Sequence, residues 1–136
     1  MLRFTWLRSF DAPVMVRVEA TADAGLHLTA KELSGAGGYD PGRIARRLER
    51  RLSADETARL LALLNETRVL ELPPSDACPV AENGDLIIHG DGAHWIIEAN
   101  GPSGYRYVDR WSAQAPIRDL GLHLIGLTGW TYDRVY

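Results

Sequence analysis

Alternating apolar and polar positions in the first third of the chain predict three β-strands. Residues 2–8 and 14–20 are short, rich in β-branched and aromatic side chains, and separated by Asp11-Ala-Pro13. This arrangement is typical of two strands joined by a turn. Between residues 25 and 34, apolar positions 26, 28 and 30 alternate with polar positions 27, 29 and 31, as expected of a half-buried strand.

The pattern over residues 43–52 permits two interpretations. Apolar residues recur every four positions, and Asp40-Pro41 has the composition of a helix start. The same positions also suit one face of a strand, which would form a hairpin with residues 25–34 across the glycine-rich loop between them. We favour the strand. The apolar positions are Ile44, Leu48 and Leu52.

Two later segments have helical periodicity. Ser53-Ala-Asp-Glu56 matches a capping box, and the leucines after it form a broad apolar stripe. This predicts a helix over residues 54–66. A second helix is predicted over 117–128, where Gly121 and Gly126 lower the helix propensity.

Residues 85–111 predict a three-stranded meander. Asp91-Gly92 is a strong two-residue hairpin signal, and a turn there places His89 opposite His94. A second turn is predicted through residues 100–104. We expect its pairs to be Glu98 with Arg106, Ile97 with Tyr107 and Ala99 with Tyr105, which match opposite charges and stack aliphatic on aromatic groups.

These elements predict an α+β fold in a single domain covering residues 1–136. The sheet should be mainly antiparallel with about six or seven strands, and both helices should pack on one of its faces. The chain length, the 46% of hydrophobic residues and the 24% of charged residues are ordinary for one globular domain.

Charge and targeting signals exclude several classes of function. Lys and Arg total 15 against 18 Asp and Glu, a balance that argues against a nucleic-acid partner. The arginine run over residues 43–51 is interpreted as a solvated face. No apolar run approaches the length of a membrane span, and the N-terminus lacks a signal-peptide pattern. We expect a soluble cytoplasmic protein, or an exported one if a signal peptide has been removed.

Cofactor and nucleophile signals are weak. Cys78 is the single cysteine, so it forms no intrachain disulfide, and its surroundings predict an inert thiol. The glycine-rich segment over residues 35–38 matches neither a dinucleotide-binding fingerprint nor a phosphate-binding loop. We therefore expect no cofactor.

The predicted meander has an apolar face and a polar face. Tyr105 and Tyr107 are assigned to the apolar face, which should form core. Opposed His89 and His94 would have Cβ atoms about 4.5–5.5 Å apart, close enough to share a metal, but a catalytic zinc site needs at least three protein ligands. A solvated face with cross-strand ion pairs is favoured over a metal or catalytic site. The candidate residues on the polar face are His89, His94, Glu98 and Arg106.

Several short motifs over residues 50–112 resemble a group of small uncharacterised bacterial proteins. They are Leu52-Ser-x-x-Glu56, Leu72-Pro73, Asp91-Gly92-x-x-Trp95-x-Ile-Glu98 and Tyr107-Val-Asp-Arg-Trp-Ser112. The resemblance implies a bacterial origin and a fold of strands with a capped helix. It implies no catalytic residue.

The leading functional hypothesis is a non-enzymatic binding or interaction module. Its partner would be another protein, or a second copy of the chain bound through a sheet edge or aromatic groups. The alternative is a small enzyme or metal-binding protein that uses the histidine, glutamate and arginine side chains of the polar face.

Overall fold

The computed structural model describes residues 1–75 and 91–135. Six strands in the described residues form one antiparallel sheet, as the sequence predicts. The strands are β1 (Leu2–Arg8), β2 (Val14–Ala20), β3 (Leu26–Leu33), β4 (Ile44–Arg51), β5 (Ala93–Gly101) and β6 (Gly104–Trp111).

Two α-helices accompany the sheet, α1 (Ala54–Thr67) and α2 (Ile117–Gly126). A single 3₁₀ turn, Val69–Glu71, follows α1. Both helices contribute buried side chains to the same core as the sheet. This arrangement confirms the predicted α+β class and the predicted positions of both helices. No helix in the described residues is long and apolar enough to cross a membrane.

The order of the strands across the sheet is β4-β3-β2-β1-β5-β6. The strand interpretation of residues 43–52 is confirmed, because β4 forms an antiparallel hairpin with β3 and Ala30 lies opposite Leu48. β1 is in the middle of the sheet and pairs with β2 on one side and β5 on the other. The N-terminal strand therefore joins the two halves of the chain.

Alternation along β1 and β5 buries a set of large aromatic side chains. Phe4, Trp6 and Trp95 have no exposed surface, and the Trp95 ring lies 5.5 Å, centroid to centroid, from each of the other two rings. α2 approaches this cluster at Gly121, where a Cβ atom would lie 2.7 Å from Trp95 and 2.9 Å from Phe4. The glycine therefore permits the close packing of α2 on the sheet, although it is a poor helix former.

The capping box at the start of α1 is present as predicted. The Ser53 hydroxyl accepts a hydrogen bond from the Glu56 amide, and the Glu56 carboxylate accepts one from the Ser53 amide. Arg50 at the end of β4 donates to both oxygens of this carboxylate, at 2.8 and 2.7 Å. These bonds, with the Arg50 contribution the largest, lower the pKa of Glu56 to about 2. The same carboxylate therefore caps the helix and ties it to the sheet.

The pairing predicted for the first hairpin of the meander is wrong. We expected His89 opposite His94, but β5 pairs with β1 on one side and with β6 on the other. The residues opposite His94 are therefore Leu7 of β1 and Trp111 of β6. Residues 76–90, which include His89 and Cys78, lie outside the described part of the chain. The sequence pattern missed this pairing because β1 comes from the distant N-terminus.

The β5–β6 hairpin is present, but its register differs by one residue from the prediction. Glu98 lies opposite Tyr107, and Ile97 lies opposite Val108. The reason is the turn, in which Gly101 pairs with Gly104 and leaves a two-residue loop. Shifting a register by one residue moves every side chain of a strand to the other face.

This shift changes which residues of β6 are buried. Val108 is 1% exposed, whereas Tyr105 and Tyr107 are 56% and 37% exposed. The prediction that the two tyrosines form core is therefore wrong. The tyrosines lie on the face of the sheet opposite the helices.

Candidate functional site

Six polar side chains on the face of β1, β5 and β6 that points away from the helices form what we call the polar face. Directly opposed residues in an antiparallel sheet lie on the same face, which brings these residues together from three strands. None belongs to the aromatic core on the helix side. The polar face comprises Arg3, His94, Glu98, Tyr105, Tyr107 and Asp109.

Glu98 is the most buried residue of the polar face, with 8% of its surface exposed. It accepts hydrogen bonds from Nε and Nη2 of Arg3 at 2.6 and 2.5 Å. The hydroxyl of Tyr105 donates a third at 2.7 Å. The Arg3 hydrogen bonds outweigh the effect of burial and hold the pKa of Glu98 below its usual range. Glu98 is thus an ionised carboxylate that accepts three side-chain hydrogen bonds, whereas a general acid needs a raised pKa.

His94 and Asp109 form the second group of the polar face. Nδ1 of His94 lies 3.0 Å from the Asp109 carboxylate, and the hydroxyl of Tyr107 donates to the other oxygen of this carboxylate at 3.3 Å. The His94 ring packs edge-on against Trp111, with centroids 4.9 Å apart. A carboxylate and the histidine that it orients are two of the three members of a catalytic triad. In the part of the chain that the structure describes, no serine, threonine or cysteine bonds to His94.

The structure brings together two of the four sequence-predicted candidates. His94 and Glu98 share the polar face, His89 lies outside the described residues, and Arg106 lies on the other face of β6. The predicted Glu98–Arg106 ion pair is therefore wrong, and Arg3 takes the place of Arg106. Among residues 1–75 and 91–135 there is no group of three metal-ligating side chains.

A groove of about 490 Å³ lies beside the outer edge of β6, and we call it the β6 groove. The segment after the 3₁₀ turn forms its other wall, because the Asp109 amide donates to the Pro74 carbonyl at 2.7 Å and Ser75 forms a parallel bridge to Asp109. Buried Val69 anchors this segment in the core. The groove is lined by Leu70, Glu71, Leu72, Pro74, Tyr105, Arg106 and Tyr107.

The charged residues at the β6 groove differ in whether they form an ion pair. Arg68 forms an ion pair with Glu71, while Arg106 forms no ion pair with any residue in the described ranges. Sequence reasoning missed the groove because it placed the tyrosines in the core. The sequence signal at this turn is Gly104, which follows Pro102-Ser103 and has a φ of +95°, a conformation that favours glycine.

No protein-family model, curated protein or solved structure matches this chain.

Proposed function

We propose that this protein is a non-enzymatic interaction module that binds a segment of another protein in the β6 groove. The observation that carries the proposal is the pair of exposed tyrosines, Tyr105 and Tyr107, beside a groove with leucine and proline walls. Tyrosine is enriched at the centres of protein interfaces because it offers a large rigid surface together with a hydroxyl group.

The lining of the groove indicates the chemistry of the partner segment. Leu70, Leu72 and Pro74 provide apolar contacts, and Arg106 supplies a positive charge without an ion pair in the described residues. A segment with apolar side chains and one acidic residue would satisfy both features. Charge complementarity of this kind sets orientation and specificity more than affinity.

The polar face supports the same proposal. Its ionisable groups bond to one another, Glu98 to Arg3 and Asp109 to His94, and the tyrosine hydroxyls complete the network. Such a network makes the sheet surface beside the groove rigid, and a preorganised surface lowers the cost of binding.

The proposal is tested by selecting peptides from a random twelve-residue display library on the intact protein. We expect enriched sequences that combine aliphatic or aromatic residues with Asp or Glu. Their affinity should fall at least about tenfold in a Tyr105→Ser/Tyr107→Ser variant, as expected when interface tyrosines are truncated. Arg106→Glu should weaken binding of the same peptides.

Tyr39→Ser is the matched control, since Tyr39 is 74% exposed but lies in the loop before β4. Equal binding of the enriched peptides to the double variant and to the wild type would contradict the proposal. So would a dimer of the wild-type chain that the double variant loses, because the groove would then bind a second copy.

The His94–Asp109 hydrogen bond favours a second candidate, the small enzyme or metal-binding protein. Its test is metal analysis of the purified protein with and without His94→Ala, together with melting curves in added Zn²⁺. A metal bound by the wild type and lost in the variant would support it. The same melting temperature with and without Zn²⁺ would count against it.

A further inference from the structure

A second concave site lies on the helix side of the sheet, remote from the exposed tyrosines. It is a cleft of about 430 Å³ between the ends of several strands and the C-terminal tail, and we call it the arginine cleft. Cavities that hold small molecules have volumes of roughly 300–1,000 Å³. Its charged lining residues are Arg8, Asp11, Glu32, Arg46, Asp133 and Arg134.

Arg8 is the residue that distinguishes this cleft. It is only 5% exposed, and its guanidinium carbon lies 4.4 Å from the centre of the Trp6 ring and 4.8 Å from that of the Tyr132 ring. Nε and Nη2 donate to a single acceptor, the carbonyl oxygen of Ala12, at 3.0 and 2.6 Å. The guanidinium is therefore held in place through one edge by a neutral backbone group.

The other edge of the Arg8 guanidinium has no acceptor in the described residues. Nη1 donates no hydrogen bond to a described residue, and the one hydrogen bond that Nη2 donates goes to the Ala12 carbonyl. Two parallel N–H groups on one edge of a guanidinium match the two oxygens of a carboxylate. The free edge of Arg8 thus has the geometry of a carboxylate receptor.

Among the described residues, the charge of Arg8 has no counter-ion in direct contact. No carboxylate in residues 1–75 and 91–135 is within ion-pair distance of it. Burial lowers the pKa of Arg8, although Asp11, Tyr132 and Glu32 act in the opposite direction. A buried cation without a counter-ion costs folding free energy, so an anionic group bound beside Arg8 would recover part of that cost.

Glu32 does not supply this counter-ion, because it is already engaged elsewhere. Its Oε2 atom accepts hydrogen bonds from Arg46 at 3.0 Å and from the hydroxyl of Tyr132 at 2.6 Å. Arg46 in turn lies over the Trp130 ring, 4.2 Å from its centre. This cluster forms the wall of the cleft.

Apart from the Glu32–Arg46 pair, the lining has equal numbers of positive and negative side chains. Arg8 and Arg134 carry positive charge, and Asp11 and Asp133 carry negative charge. A multiply charged phosphate would be repelled by the acidic side chains, whereas a ligand with one carboxylate and one ammonium group meets both signs. The lining therefore favours a zwitterion over a simple anion.

We propose that the arginine cleft binds a small zwitterion of the amino-acid class, whose carboxylate contacts the free edge of Arg8 and whose ammonium group faces Asp133. The site is independent of the β6 groove, because the two share no lining residue. Failure of either proposal therefore leaves the other in place.

The test is a titration of the intact ¹⁵N-labelled protein with each of the common L-amino acids, followed by NMR at the Arg8 Nε–H signal and by melting temperature. We expect at least one amino acid to give saturable shifts and a higher melting temperature. Inorganic phosphate and acetate should bind at least about tenfold more weakly, since each lacks one of the two charge contacts.

Two variants make the test specific. Arg8→Lys retains the charge but lacks the paired N–H groups, so affinity should fall at least about tenfold, while Arg17→Lys on the other face of the sheet should bind as the wild type does. Asp133→Asn lies on the exposed tail, and it should weaken binding of the amino acid but not of acetate. This variant tests the site even if Arg8→Lys does not fold.

Four results would overturn the proposal. The first two are the absence of a saturable response to any amino acid and equal or tighter binding of phosphate or acetate. The other two are wild-type affinity in a folded Arg8→Lys variant and undiminished amino-acid binding in Asp133→Asn.

Discussion

Glu98 and Arg3 are 95 positions apart in the sequence and lie directly opposite each other on β5 and β1. Their two hydrogen bonds join the central strand to the C-terminal half of the sheet. The two side chains differ in environment, because that of Arg3 is 41% exposed and that of Glu98 is 10% exposed. Removing Arg3 should therefore change the free energy of unfolding by a different amount from removing Glu98.

Arg3→Met should destabilise the protein more than Glu98→Gln. The first change leaves a buried carboxylate with Tyr105 as its remaining side-chain donor, at a cost of about 1–3 kcal/mol in the free energy of unfolding. The second leaves a solvated guanidinium beside a neutral amide. Urea unfolding measures both. Arg17→Met is the control, since the Arg17–Glu19 pair is exposed on both sides and its loss should change stability by less than about 0.5 kcal/mol. A larger loss in Glu98→Gln than in Arg3→Met would contradict this prediction.

The Arg3–Glu98 pair should also make stability depend on acid pH. The pKa of Glu98 is lowered in the folded protein, and an unfolded glutamate has a pKa of about 4.3. Stabilisation from this group is thus complete above the unfolded pKa and is lost as pH falls through the folded pKa. The stability difference between wild type and Arg3→Met should therefore narrow as the pH falls from about 4.3 through the lowered folded pKa. A constant difference over this range would show that Arg3 acts through packing alone.

Gly121→Ala should be strongly destabilising although alanine is the better helix former. The added methyl group would meet Trp95 and Phe4 at distances that require α2 to move, and overpacking of this kind costs about 1–3 kcal/mol. Gly126→Ala in the same helix is the matched control, because a Cβ atom there meets nothing within 4 Å. It should be neutral or stabilising by up to about 1 kcal/mol. If the melting temperatures of the two variants shifted in the same direction, this account would be refuted.

Ser53→Ala should lower the free energy of unfolding by about 0.5–2 kcal/mol, because the variant cannot accept the hydrogen bond from the Glu56 amide. Ser53→Asp restores an acceptor and should recover most of the loss. Chemical denaturation with circular dichroism at 222 nm follows α1 in both variants. If the alanine and aspartate variants were equally stable, the capping bond would contribute nothing.

Replacing arginines on β4 should promote self-association. β4 is the outermost strand on one side of the sheet, and its Arg47 and Arg51 side chains pair with Glu49 and Asp23. Charged side chains on an edge strand discourage pairing with a second molecule. The Arg47→Val/Arg51→Val variant should therefore form concentration-dependent oligomers, which light scattering detects. Arg17→Val in the interior strand β2 is the control and should have the same oligomeric state as the wild type. A monomeric double variant at high concentration would disprove the edge-protection role.

Local sequence patterns were sufficient for most of the secondary structure. Alternation located β1 to β3, the four-residue spacing in β4 suited a strand, and Ser53 with Glu56 marked the start of α1. These features depend on neighbours within a few residues, where the sequence is directly informative. The β5–β6 register failed because it depends on loop length, and one residue decides whether Val108 or Tyr107 is buried.

The sequence by itself determined the fold class and the position of the helices, because periodicity and capping act over one or two turns of the chain. Only the tertiary structure decided the partners of the charged groups. Glu98 bonds to Arg3 and not to Arg106, since β1 returns from the distant N-terminus to lie beside β5. The buried Arg8, which no local pattern marks, gains Tyr132 as its second aromatic neighbour and becomes part of a cleft only when the C-terminal tail packs beside β1.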